Sequence, residues 1–253
     1  AHIKIKKLFD SIIEKEGQNR LKPINTYDIL MHCSDAVLSG GIRRAATSVV
    51  FDADDDEMMN SKTGNWFEEN PQRARSNNSI LFLRKKVKEE DFKKVLQSAR
   101  EFGEPGFIFA DHEDMLSNPC REIGFIPVTK DGRCGVQFCN LTSINGAKIH
   151  TARDFREASK AAALIGTLQA GYTNFHYLRN TSKELTEEEA LLGVSITGIM
   201  DNPKVLLSAK HQRECAQIAV ETNQAWAKKL GINPAARVTC IKPEGTSSLV
   251  LGS

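Results

Sequence analysis

No Cys-x-x-Cys pair occurs in these 253 residues, and the six cysteines (Cys33, Cys120, Cys134, Cys139, Cys215 and Cys240) are too few and too scattered for a disulfide scaffold. Cys134 and Cys139 have no second pair of ligands beside them, so a structural zinc site is not expected. Free thiols in this pattern suit a reducing compartment such as the cytoplasm. An excess of charge is also lacking. With 34 basic against 32 acidic residues the net charge is +2, which gives no case for bulk binding to nucleic acid or membranes; any anion site must be local. The apolar runs are far too short to span a bilayer. Ile3-Lys4-Ile5-Lys6-Lys7 alternates charge with apolar residues, unlike a signal peptide. The phosphate-loop signature Gly-Lys-Ser/Thr is missing. The acidic stretch Asp52–Glu57 lacks the glycine spacing of a calcium loop and reads as a solvated connection. No repeat, low-complexity segment or linker interrupts the chain.

What is present is a soluble-type composition, 40% hydrophobic and 26% charged, in a chain long enough to bury a core. Apolar residues at helical spacing predict helices over Ile3–Glu16, Thr26–Leu38 (ended by Ser39-Gly40-Gly41), Glu89–Phe102, Asp154–Gly171, Lys183–Leu192 and Ser208–Leu230. Short apolar or β-branched runs predict strands over Ala45–Phe51, Ser79–Leu83, Phe107–Ala110, Val194–Thr197 and Ala236–Ile241. Cys120–Gly135, with Pro127, Asp131-Gly132 and Gly135, reads as a hairpin or excursion. Strands alternating with long helices predict an α/β fold with a mostly parallel sheet or barrel.

Three segments carry candidate chemistry. In Ser39-Gly40-Gly41-Ile42-Arg43-Arg44 the paired glycines permit close approach of the backbone to a ligand. The arginines can bind phosphate or stack on a base, although a helix-ending turn with solvated arginines fits equally. In Asn118-Pro119-Cys120-Arg121-Glu122 an extended chain would turn Asn118, Cys120 and Glu122 to one side, by the two-residue period. One substrate could then meet a sulfur, a carboxylate base and an amide; a small buried cysteine beside a solvated glutamate fits the pentapeptide alone just as well. In Lys242-Pro243-Glu244-Gly245-Thr246-Ser247-Ser248 a glycine and three hydroxyl residues open a helix, an arrangement suited to an anion and also to an ordinary cap. Cys33, Cys215 and Cys240 read as buried structural cysteines, and Cys134 as an exposed bystander.

Taken in order, these segments resemble the catalytic subunit of ribonucleotide reductase, most like its adenosylcobalamin-dependent (class II) branch. The resemblance spans nearly the whole chain. Gly40–Arg43 is similar to the second substrate-specificity loop, and Asn118–Glu122 to the finger-loop signature whose cysteine becomes the thiyl radical. Cys139-Asn140-Leu141 is similar to the second reducing cysteine, Gly193–Asp201 to a barrel strand, and Pro243–Ser248 to the substrate phosphate loop. The resemblance implies part of a ten-stranded α/β barrel with a central finger loop, and residues 1–253 as one incomplete catalytic region. It implies reduction of ribonucleotides to deoxyribonucleotides for DNA synthesis, with adenosylcobalamin as cofactor. Its partners would be a ribonucleotide substrate, a deoxynucleotide or ATP effector, a thioredoxin-like reductant and the remainder of the reductase. Cys120 would take the 3′-hydrogen of the ribose, Glu122 would act as base and Asn118 would orient the sugar. Cys139 and a partner cysteine would end as a disulfide. Gly40, Gly41, Arg43, Arg44, Pro243, Glu244, Gly245, Thr246, Ser247 and Ser248 would hold the nucleotide.

The departure from the family pattern is the other reducing cysteine, which should lie well before Gly40; Cys33 is too near to serve. The chain therefore reads as a central portion of such a reductase, unable to turn over repeatedly on its own thiols. Two alternatives remain at this level. A class I reductase would relay the radical through a tyrosine pair near the C-terminus, but the only tyrosines are Tyr27, Tyr172 and Tyr177. A non-catalytic nucleotide-binding module would use the Gly-Gly and phosphate loops without chemistry.

Overall fold

The computed structural model describes residues 1–16, 20–37 and 46–253, and they form two compact units, Ala1–Pro119 and Cys120–Ser253. The first unit contains α1 (His2–Glu16), α2 (Pro23–Val37) and three strands, β1 (Thr47–Phe51), β2 (Ser76–Leu83) and β3 (Gly106–Ala110). They form a parallel sheet in the order β1-β2-β3, with Val50 opposite Ser79 and Ile80 opposite Phe107. The crossover helix α3 (Glu89–Ala99) packs Val95 and Phe92 over the middle strand, and the Phe92 and Phe107 rings lie 4.6 Å apart. Glu89, Glu90 and Asp91 occupy the first turn of α3, where carboxylates favour the positive end of the helix dipole.

β2 begins three residues before its apolar run. Ser76, Asn77 and Asn78 look like loop residues in sequence, but buried partners satisfy the polar side chains of Ser76 and Asn78. Ser76 Oγ lies 2.8 Å from the Tyr27 hydroxyl, and Asn78 Nδ2 donates to Ser61 Oγ at 3.1 Å. Lys62, almost fully buried, donates to Glu104 at 2.7 Å and to the Ser76 carbonyl at 2.6 Å; burial pushes its pKa down despite the glutamate. Beside it the Arg73 guanidinium makes a two-pronged bond to Asp28, at 2.8 and 2.6 Å.

The second unit is built on β4 (Asn140–Asn145) and β5 (Leu192–Thr197), parallel, with Leu141 opposite Gly193 and Ser143 opposite Ser195. The crossover contains α4 (Ala152–Ala170) and α5 (Asn180–Glu189), and α6 (Ala209–Leu230) packs on α4. Gly166 of α4 lets the helix settle against Leu192, while Asn223 of α6 donates to Thr167 at 3.0 Å. Phe155, Ala163, Leu192, Leu206 and Ala219 centre the core. Cys120–Gly135 does contain a reversal: Val128 bridges Cys134 in antiparallel fashion around a turn with Gly132 at φ 83°.

Two expectations need correction, and one strand was not expected. The helix foreseen to Leu192 ends at Glu189, because Ala190 adopts a left-handed conformation and the buried Leu191 and Leu192 pass into the sheet. The strand foreseen at Ala236–Ile241 forms only an isolated bridge, Thr239 to Val194, although Arg237, Val238 and Cys240 hydrogen-bond to β5. β4 was not foreseen at all, since Asn140-Leu141-Thr142-Ser143-Ile144-Asn145 lacks an apolar signature. No described helix is long and apolar enough to cross a membrane.

Asp28→Ala would strand the Arg73 guanidinium, whose side chain is only 12% exposed. The expected cost is about 3–5 kcal/mol, read as a lower urea midpoint with an unchanged slope.

Candidate active site

The pentapeptide 118–122 is not extended. Residues 119 and 120 form a turn, residues 121–123 a bend, and Arg121 takes a left-handed φ of 69°. Such a φ is strained for a side chain of this size and is held where the surroundings demand it. The two-residue alternation expected from sequence therefore does not apply. Asn118 lies near the end of the first unit, whereas Cys120 and Glu122 belong to the second. Cys120 is exposed.

Cys139 stands immediately before β4 and is half-buried. Burial, the nearby Cys240 thiol and the Glu122 carboxylate together push its pKa up to about 12. Cys240 behaves similarly: burial and then Glu122 raise it to about 11, against the opposing pull of Lys242. Glu122, Cys139 and Cys240 thus lie within electrostatic reach of one another inside one compact unit. Two of these are expected site residues. The third, Cys240, was read as a structural cysteine.

Gly193 makes the meeting possible. A Cβ there would collide with Leu141 Cδ2 and stand 3.1 Å from Cys240 Sγ and 3.3 Å from Cys139 Sγ. The two thiols therefore converge over a position with no side chain, one from each side of β5. Their backbones do not converge. Residues 139 and 240 flank β5 on opposite sides, so about two strand spacings, roughly 10 Å, separate the chains. A disulfide needs Cα atoms within about 7 Å, so Cys240 is not in place to bridge to Cys139. Among the other cysteines Cys215 is buried and Cys134 exposed, as expected; Cys33, expected on a buried helical face, is exposed.

The segment Pro243–Ser248 leads into the short helix α7 (Gly245–Leu251). Lys242 N donates to Ser195 Oγ of β5 at 2.9 Å, and Asn145 Nδ2 of β4 donates to the Leu251 carbonyl at 2.7 Å, so both strands hold this loop. Gly245 and Thr246 are exposed, whereas the Glu244 side chain is only 4% exposed. Gly40, Gly41, Arg43 and Arg44 lie outside the described residues. Among the described residues no cluster of three or more His, Cys, Asp or Glu could hold a metal ion.

The fold matches, with a TM-score of 0.74 at 20% identity, a crystal structure of a B12-dependent (class II) ribonucleotide reductase, over 99% of this chain and 38% of that one. In sequence the chain is 27% identical, over 98% of its length, to a probable adenosylcobalamin-dependent ribonucleoside-triphosphate reductase of Dictyostelium discoideum. It is also 27% identical, over 92%, to an adenosylcobalamin-dependent ribonucleoside-triphosphate reductase of Euglena gracilis, and 22% identical, over 93%, to one of Lacticaseibacillus paracasei. No family model matches the chain. The chain spans about a third of the length of these curated relatives, 34% of the first.

The raised pKa values carry a direct consequence. At pH 8 Cys139 is held almost wholly as the neutral thiol, and the higher nucleophilicity of a more basic thiolate offsets only part of that loss. Alkylation of Cys139 by iodoacetamide is expected to run about two orders of magnitude slower than that of an ordinary cysteine peptide. Peptide mapping by mass spectrometry measures this, and unfolding in urea should abolish the difference.

Proposed function

We propose that this chain is a catalytic portion of an adenosylcobalamin-dependent ribonucleotide reductase that converts ribonucleoside triphosphates to deoxyribonucleotides for DNA synthesis. The observation that carries the reading is the convergence of Glu122 and Cys139. They are distant in sequence, belong to the two cysteine-bearing motifs that resemble this family, and come within electrostatic reach in one compact unit. Similarity to such reductases over nearly the whole chain supports it.

In this reading residues 1–253 form part of the ten-stranded barrel, and residues 118–122 form its finger loop. Adenosylcobalamin supplies the radical when bound. The donor set here suits it, since Cys120 is exposed and the Cys139 and Cys240 thiols are held protonated. The Cys120 sulfur radical takes the 3′-hydrogen of the ribose, Glu122 removes the 3′-OH proton and Asn118 orients the sugar. The 2′-OH leaves as water, and at the end of the cycle the Cys120 thiol returns the hydrogen to C3′ and is again the radical. Cys139 and a partner thiol together give up two electrons and two protons and become a disulfide. The backbone separation of Cys139 from Cys240 favours a partner elsewhere in the reductase.

Gly40, Gly41, Arg43 and Arg44 would sense substrate and effector, a deoxynucleotide or ATP, and the segment from Pro243 to Ser248 would hold the substrate phosphates. A thioredoxin-like protein in the cytoplasm would reduce the disulfide after each turnover.

Cys120→Ser in the full-length reductase tests this reading. Ribonucleotide affinity, measured by calorimetry, should stay within about threefold, while deoxyribonucleotide formation should fall to background. A variant that keeps its activity would contradict the proposal.

A further inference from the structure

The loop from Lys242 to Ser248 contains one carboxylate, and it is turned away from solvent. Glu244 is 9% exposed as a residue, and both of its oxygens are engaged. Ser143 of β4 donates its hydroxyl to Oε1, and Ser247 of the loop itself donates to Oε2. The Lys242 ammonium stands 3.9 Å from Oε1. The Glu244 carbonyl accepts from Ser248 N at 3.0 Å, so the same residue also starts α7.

A buried carboxylate is costly unless its oxygens are satisfied, and hydroxyls donating to a charged acceptor are among the stronger hydrogen bonds. Glu244 therefore has one favourable place, and taking it locks the loop to the strand that follows Cys139. The same arrangement divides the loop's hydroxyls. Ser247 spends its proton on Glu244, and Ser248 donates to the Gly245 carbonyl at 3.0 Å, which leaves Thr246 as the exposed hydroxyl residue.

Resting on the reading of Pro243–Ser248 as a substrate loop, we propose that Glu244 is a positioning residue and not a ligand contact. Its carboxylate, tied to Ser143 and Ser247, sets the height of the loop against the Cys139 strand, and so sets where the ribose lies relative to that thiol. Thr246 is then the hydroxyl offered to the phosphate. Glu244→Gln preserves volume but replaces one acceptor oxygen with a donor, so the loop loses one of its two ties. Because the carboxylate's negative charge also goes, phosphate binding should not weaken.

The test is steady-state kinetics of the full-length reductase with a ribonucleoside triphosphate, for wild type, Glu244→Gln, Ser143→Ala and the double variant. Glu244→Gln should lower kcat about tenfold with KM within about twofold and the melting temperature nearly unchanged. Ser143→Ala should lower kcat in the same direction, and the double variant should be no worse than Glu244→Gln alone. Thr246→Val should instead raise KM with little change in kcat. Unchanged kcat in Glu244→Gln would overturn the proposal, as would a raised KM at constant kcat, or multiplying losses in the double variant. A wild type without reductase activity would overturn the functional reading, and this proposal with it. An active wild type beside an unaffected Glu244→Gln would overturn this proposal alone.

Discussion

Position 193 has no side chain, and the space this leaves is filled by Leu141, Cys139 and Cys240. Much of the second unit depends on that close packing. β4 and β5 can pair in parallel with Leu141 directly opposite Gly193, and thiols on either side of β5 can lean inward over the same point. With any larger residue there, Leu141 would be displaced and Cys139 would lose its half-buried seat. In the crossover, a Cβ at Gly166 of α4 would stand 3.1 Å from Leu192, so the missing side chain lets the helix pack closely on β5.

Burial at this point has a chemical result. A thiol needed as a nucleophile is usually placed near positive charge so that it ionises. For Cys139 and Cys240, burial and a nearby carboxylate outweigh the pull of Lys242, and for Cys139 of Arg237, so both are held protonated. Protonated thiols are poor nucleophiles but sound hydrogen-atom donors. In the proposed reading that distinction favours radical over thiolate chemistry, and the radical enters at Cys120, an exposed residue on the turn beside Arg121.

Much of the architecture was legible in the sequence because long helices and apolar strands carry their period openly. The helices from Ala152 to Ala170 and from Ala209 to Leu230 came within a few residues of expectation. β4 was invisible because two of its polar side chains find their partners only in the fold: Ser143 in Glu244, and Asn145 in the Leu251 carbonyl. The same is true of Ser76 and Asn78 in β2. For the site, Cys139 and Glu122 were read from their motifs. Cys240 was not, because nothing local distinguishes a strand cysteine facing a core from one facing another thiol. Its position just ahead of Pro243–Ser248, the segment that resembles a phosphate loop, was the available clue. The turn at 119–123 was likewise hidden, since an arginine at positive φ has no sequence signature.

In the proposed function a sulfur radical on Cys120 removes the 3′-hydrogen of a ribonucleotide, with Glu122 as base and Cys139 as a reducing thiol. Its most direct test uses 3′-deuterated ribonucleoside triphosphate with the full-length reductase, adenosylcobalamin and a dithiol reductant. The account predicts slower turnover with the deuterated substrate than with the protiated one, and no deoxyribonucleotide from Cys120→Ser with either. Deoxyribonucleotide formed by Cys120→Ser at the wild-type rate, indifferent to deuterium at C3′, would contradict it.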